Sequence, residues 1–429
     1  MTPARLIAAA LVSAGAAGLW SSPALAATVL QRPTTPGSAV AYTAPEAAPY
    51  VTARAVVHYV TTGPQAPPQT DIDADGIPDF VEQVGAAADA ALLYYQQHGF
   101  RLPAPDAGGP DSKPDIYVDT LPKGVFGFTV APLSAEGGTF VLVSPTLDVS
   151  TANPHGSVDI TVAHELFHVI QYTYVPSGKL PNWAAEGSAS AMSMLVYPNV
   201  HDQVMKNYMD AWLQMPWLPL YDEKSSCVHC YGGAWWWLYL AAESRKALPA
   251  YFTKLGTEKR GTIEARAGIT QLDDALRASK LGSLIRVFSR FSLNLYRRGL
   301  PVGKPYSLTS STHARTSAIR PVYGLSTQYV PIRVPARSKG LVVSVPSAHG
   351  PAPEVSLVVG GTKGRRVVGK PFRPGQGTVV STIFRNANER KRVVLIISGT
   401  HANGAVYYVQ HVALDRHAKL PGWIVFPGA

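Results

Sequence analysis

Two histidines four residues apart, with a glutamate directly after the first, stand in the middle of the chain: His164-Glu165-Leu166-Phe167-His168. The stretch from Asp159 to Gln171 around them holds no Gly or Pro and reads as a helix. At 3.6 residues per turn, side chains at i and i+4 project side by side from one face. Both imidazoles could then bind one Zn²⁺, at about 2.0–2.1 Å. Glu165 could reach a water on that metal, whose pKa falls to about 7, and take its proton at neutral pH. The plainer alternative is a helix with two incidental histidines and one glutamate.

A third ligand is available. Asn182-Trp183-Ala184-Ala185-Glu186-Gly187-Ser188 opens a second helix, with Asn182 as a plausible N-cap. Pro176-Ser177-Gly178 reads as the turn between the two. The chain can therefore reverse and present Glu186 to the metal from an antiparallel neighbour. His164, His168 and Glu186 would leave a fourth position open, as a catalytic zinc requires. Alternatively, Glu186 is an ordinary acid in a first helical turn, favoured by the helix dipole.

Two further groups of residues suggest supporting sites. Asp71, Asp73, Asp75, Asp79 and Glu82 fall at positions 1, 3, 5, 9 and 12 of a calcium loop, with Gly76 at the turn and the Ile77 carbonyl at position 7. Pro78 is unusual there. Asp79 and Glu82 could instead form a capping box, which leaves Asp71, Asp73 and Asp75 unexplained. Their mutual repulsion wants a cation, and Ca²⁺ is the expected one. Cys227-Val228-His229-Cys230 holds the only two cysteines. In an exported chain a Cys227–Cys230 disulfide is expected, with a redox motif as the sharper alternative. His155 and His229 are weaker candidates for chemistry.

The elements that must position these residues follow from periodicity and punctuation. Helices are expected at Asp79–Gly99 and at about 157–174, 182–197, 201–214, 232–246 and 281–297, and short strands at 55–60, 115–118 and 139–143. The Trp235–Trp237 run is expected in the core. After Pro301 the texture becomes β-rich, with strands at 340–345, 355–359, 392–397 and 406–409. A domain boundary is placed near residue 300, giving a domain over 55–300 and a basic β-rich accessory domain over 301–429. Residues 27–54, rich in Ala, Pro and Thr, read as a linker or short pro-segment.

Charge separates the two parts. Residues 301–429 carry 17 Lys/Arg against 3 Asp/Glu, a net +14, and the rest carries 21 against 25, a net −4. The basic part could dock on an anionic cell-wall polymer or lipid surface, or could simply complement the acidic part. Nucleic acid is not an expected partner, since no reading helix or stacking-strand motif occurs. At the N-terminus, Arg5, an apolar run from Leu6 to Trp20 and the small-x-small site Ala24-Leu25-Ala26 read as a signal peptide over 1–26. A secreted protein starting near Ala27 is expected, with an uncleaved membrane-anchored form as the alternative. No later stretch reaches the roughly 20 apolar residues of a membrane span.

The sequence resembles the gluzincin metallopeptidases, and within them the hyicolysin-like and related secreted bacterial proteins. The residues that carry the resemblance are His164-Glu165-Leu166-Phe167-His168-Val169-Ile170-Gln171 and Trp183-Ala184-Ala185-Glu186-Gly187. It covers about residues 55–300. It implies zinc on His164, His168 and Glu186, Glu165 as general base, and peptide or protein substrates. It also implies an α+β fold. A zincin-like domain, with a small mixed sheet over the active-site helix and a mainly helical subdomain, would precede an all-β sandwich. The Thr139–Val143 strand would line the cleft and pair with an extended substrate. Thermolysin-like members carry an Asp four residues past the Glu ligand, where this chain has Ser190. Tyr231 resembles the oxyanion-stabilising Tyr of the aminopeptidase branch, or is a packed aromatic at a helix start; a disulfide ring before it could fix its position. The rival functions are a catalytically silent, calcium-stabilised adhesin or binding protein on the same scaffold, and a calcium-dependent surface module with incidental histidines.

Overall fold

The computed structural model describes residues 31–103, 113–130, 138–147, 157–175, 180–222, 227–257, 267–300, 306–307, 315–318, 324–334, 336, 338–346, 352–371, 377–399 and 408–414. The expected signal peptide, the Pro176-Ser177-Gly178 turn and His155 lie outside them. The chain divides into two units, 1–212 with 221–281, and 213–220 with 282–429. The expected boundary near residue 300 therefore moves to Leu281/Gly282. No helix among the described residues is long and apolar enough to cross a membrane.

The first unit is mixed α and β. Its sheet runs β1 (Tyr50–Val51), β2 (Val56–His58), β3 (Asp115–Val118), β5 (Phe140–Val143), β4 (Gly127–Val130). β2, β3 and β5 are parallel, and the short strands β1 and β4 close the two edges antiparallel. β3 and β5 are buried along their whole length, which is why they read as continuous apolar runs. Their outer aromatic face, Tyr117, Phe140 and Leu142, is covered by Tyr42 from the N-terminal segment.

Of the linker or short pro-segment expected over 27–54, residues 31–54 are described, and they pack on the sheet where a free linker would not. Arg32 pairs with the buried Asp115 and lies over the Phe140 ring at 5.2 Å. The Tyr42 hydroxyl donates to the His58 carbonyl at 3.0 Å, and Glu46 bridges to Val60. Few apolar residues hold these contacts, so hydrophobic periodicity gave no sign of them. His58 sits at their centre, 2.5 Å from Glu46 and 3.2 Å from Asp115. Burial works to lower its pKa, and the two carboxylates outweigh burial and raise it.

α1 (Asp79–Gln97) and α2 (Val158–Tyr172) pack on this sheet, and α3 (Asn182–Val196), α4 (Gln203–Leu213), α5 (Cys227–Gly232), α6 (Ala234–Glu243), α7 (Ala247–Gly256) and α8 (Ala267–Ala278) continue the unit. α2 is buried on nearly every residue, between the sheet, α1 and α3. The Ser157 hydroxyl caps it by accepting from Ile160 N at 3.3 Å. The Tyr95 hydroxyl ties α1 to it through the Ala163 carbonyl at 2.7 Å. α3 begins at Asn182 with Pro181 as N-cap, one residue before the expected cap. The helix expected over 232–246 is α6, Ala234–Glu243, and the short α5 precedes it without having been expected. Trp236 and Trp237 are fully buried and Trp235 is partly exposed.

The second unit has two five-stranded sheets and, among the described residues, two helices. After α9 (Leu284–Arg297) come β6 (Tyr306–Ser307), β7 (Arg315–Ala318), β8 (Thr327–Arg333), β9 (Gly340–Pro346), β10 (Glu354–Val359), β11 (Arg365–Val368), β12 (Lys370–Pro371) and β13 (Gly377–Ile383). α10 (Ala387–Lys391), β14 (Val393–Ser398) and β15 (Tyr408–Leu414) complete it. The sheets run β11-β10-β14-β8-β6 and β12-β13-β9-β15-β7. Leu341, Val343 and Val345 of one face Val355, Leu357, Leu395 and Ile397 of the other. The alternate residues Val358, Val394 and Ile396 pack against Leu293 and Tyr296 of α9. This contact explains why the boundary precedes α9, and why the unit is not all-β.

Candidate metal centre

The donors expected to share a metal come together. On α2, His164 and His168 are one turn apart with Nε2 atoms 3.1 Å from each other. Across the α2–α3 contact, Glu186 Oε2 lies 3.2 Å from His164 Nε2 and 3.5 Å from His168 Nε2. Ligand atoms of the three lie within 4.8 Å of one another, and all three residues are buried. Burial opposes the Glu186 carboxylate, yet His168 and His164 beside it hold its pKa well below the usual range. The His168 imidazole is pushed up to about 9, because Glu186 outweighs burial.

A divalent cation fits this donor set. Its two imidazoles and one carboxylate have the softness and number of a zinc shell with one open place. The His168 ring is oriented for it: Nδ1 lies 2.8 Å from the Gln171 side-chain carbonyl, to which it donates, so Nε2 is the nitrogen that presents a lone pair once a metal displaces its proton. The Gln171 amide in turn donates to the Ala185 carbonyl at 2.9 Å and the Ser188 hydroxyl at 3.0 Å. This side chain thus ties the orientation of one histidine to the helix that carries Glu186. Its signal in the sequence was its place three residues past His168. His164 Nδ1 and Ser190 Oγ are buried with no hydrogen-bond partner among the described residues.

Glu165 is held from the sheet. Its Oε2 accepts from the Thr129 hydroxyl at 2.7 Å. Gly127, on the same edge strand, makes this approach feasible: a Cβ there would lie 2.6 Å from Glu165 Cγ and 2.8 Å from Oε1. The strand along the candidate cleft is therefore β4, and the expected Thr139–Val143 strand, now β5, is interior between β3 and β4. Four residues beginning with Gly gave too weak a strand pattern to find it.

Tyr231, on α5, stacks over His164 with centroids 5.7 Å apart and is itself stacked on Tyr208 at 4.8 Å. Both tyrosines therefore belong to the site's wall; Tyr208 had no sequence signal beyond its helix. Gly187 explains the Glu-Gly pair, since a Cβ there would meet Trp237 Nε1 at 2.8 Å and the Cys230 carbonyl at 3.0 Å. Cys230 and His229 are buried on α5; the side chain of Cys227, the expected disulfide partner, lies outside the described residues.

The calcium-loop residues are partly assembled. Asp71, Asp73 and Asp75 offer oxygens within 4.8 Å of one another. Asp71 Oδ2 and Asp75 Oδ1 accept from Gly76 N at 3.0 Å and Ile77 N at 2.8 Å, and Asp79 Oδ1 accepts from Ile72 N at 3.1 Å. Asp79 is thereby used in closing the loop. The Glu82 pKa is raised by burial first and then by Asp73, Asp75, Asp79 and Asp71, which places Glu82 in their field.

No family model and no curated protein matches the chain. Among solved structures, a family GH115 4-O-methyl-alpha-glucuronidase described as specific for decorated arabinogalactans aligns at 9% identity and TM-score 0.17. The alignment covers 60% of this chain and 39% of that one. At that score neither fold nor activity follows from the likeness.

Proposed function

We propose that the protein is a zinc-dependent peptidase of the gluzincin type, exported through a leader over residues 1–26. The observation that carries this reading is the buried convergence of His164, His168 and Glu186 beside a glutamate fixed from an edge strand. Zinc held there would supply a Lewis acid and make water nucleophilic at neutral pH. Glu165 is the general base. Oε2 is engaged by Thr129, so Oε1 receives the proton and returns it to the leaving amine. Tyr231, whose ring stacks on His164, is the proposed donor to the developing oxyanion. β4, which pairs only β5 among the described residues, offers main-chain groups to an extended peptide.

Calcium on Asp71, Asp73 and Asp75 belongs to the same reading as a stabilising ion. Asp71 Oδ1 is a buried oxygen with no hydrogen-bond partner among the described residues, and a cation would satisfy it. The catalytic reading is tested by incubating the protein with a mixed peptide library, with and without 1,10-phenanthroline. Cleavage that the chelator stops and added zinc restores is expected. A zinc-loaded protein that leaves the library intact contradicts it.

A further inference from the structure

One end of the second unit gathers positive charge that the fold does not consume. β8 and β14 pair with Ile332 opposite Val393, so Arg333 and Arg392 leave the sheet side by side. The 360–364 turn folds onto the same place, as Gly360 N and Gly361 N both donate to the Arg392 carbonyl, at 2.8 and 3.1 Å. Lys363 projects from that turn. On the second sheet, Phe384 N donates to the Lys339 carbonyl at 2.8 Å, bringing Lys339 and Arg385 to the same end. α10 adds Lys391. These six side chains belong to exposed residues. The carboxylate among them, Glu389, is engaged inward by Arg365 Nη2 at 3.2 Å and by the Arg385 backbone N–H at 2.8 Å.

An apolar side chain stands in the middle of this charge. Ile383 is 74% exposed, among the most exposed large apolar residues of the chain. It ends β13, and its carbonyl accepts from Arg365 at 3.1 Å. Arg385 follows two residues later. A soluble polyanion would be served by the cations alone and would gain nothing from an exposed isoleucine. A lipid surface uses both, because cations meet the headgroup phosphates while an apolar tip enters the acyl boundary.

We infer that this end of the second unit, built from Arg333, Lys339 and the 360–365 and 383–392 segments, docks on an anionic lipid membrane with Ile383 inserted among the headgroups. The inference is independent of the peptidase reading. Each Lys or Arg near such a surface is worth about 1 kcal/mol, or about fivefold in partitioning.

The test is sedimentation of the full chain with vesicles of phosphatidylcholine alone or with 30% (roughly a physiological anionic fraction) phosphatidylglycerol. Binding to the anionic vesicles only is expected, falling steeply between about 0.05 and 0.5 M salt as screening shortens. Lys363→Glu with Arg385→Glu and Lys391→Glu should reduce partitioning at least about a hundredfold. Ile383→Ser should reduce it severalfold at unchanged salt dependence. An unchanged circular dichroism melt shows that the variants fold. Absence of binding to anionic vesicles overturns the inference, as does binding that survives the triple reversal. Binding unaffected by Ile383→Ser and competed equally by soluble polyphosphate assigns the face to a polyanion instead and overturns the membrane reading.

Discussion

At the scale of single residues, the site depends on two close approaches. Gly127 lets the edge strand lie against Glu165, and Thr129 then holds one carboxylate oxygen. Gly127→Ala should push Glu165 aside with the three metal ligands intact. A displacement of about 1 Å at a reacting group costs on the order of a hundredfold in rate, so peptidase kcat should fall by about that factor at unchanged zinc content. Zinc analysis and steady-state kinetics on the same preparation check this; unchanged kcat would mean that Glu165 is not positioned from β4. His164, Glu165, His168 and Glu186 were legible from type and spacing, because helical geometry fixes which side chains share a face. Thr129 and Tyr208 were not, since their roles arise from tertiary contacts that no local spacing encodes. Within the site, Ser190 Oγ and His164 Nδ1 are buried atoms with no hydrogen-bond partner among the described residues.

At the scale of elements, α2 and α3 are joined by Gln171, which contacts His168, Ala185 and Ser188 together. Loss of such an outer-shell partner typically lowers metal affinity by about 10–100-fold. Gln171→Ala should therefore weaken zinc binding by that range in competition with a chromogenic chelator. A zinc affinity equal to wild type would show that the His168 ring is set without it. The N-terminal segment makes a pH-dependent contribution through His58. Its folded pKa is raised, so the stability it adds is complete below the unfolded value of about 6.5. That stability is lost as pH rises through the folded value. The melting-temperature gap between wild type and Glu46→Gln should be wide at acidic pH and shrink on the alkaline side. A gap constant with pH would remove His58 ionisation as its source. Helices α1, α2, α3 and α9 were readable because their apolar periodicity is long. The edge strands β1 and β4 were not, being two and four residues of mixed character. The strap over 31–47 escaped notice because hydrogen bonds and the ion pairs Arg32–Asp115 and Glu46–His58 hold it.

At the scale of the whole molecule, two units with separate cores share the chain, and the boundary was misplaced by the length of α9. That helix looks like the last of the helical part, yet its Leu293 and Tyr296 are buried on the second unit's sheet. Composition alone located the change of texture; only the packing showed which core owned the helix. The first unit's acidic loop gives a global readout. A ligand bound only by the folded state adds RT ln(1 + [L]/Kd), about 2.7 kcal/mol at a hundredfold excess over Kd. Calcium should raise the melting temperature of chelator-stripped protein, and Asp73→Ala with Asp75→Ala should abolish the rise; a melt indifferent to calcium in the wild type removes the ion from the loop. The metallopeptidase claim itself is tested most directly by measuring zinc content and peptide turnover together in wild type and Glu165→Gln. One zinc per chain in both proteins, with turnover in the wild type and nearly none in the variant, is the expected result. Turnover in Glu165→Gln equal to wild type, or a wild type that takes up no zinc, would contradict it.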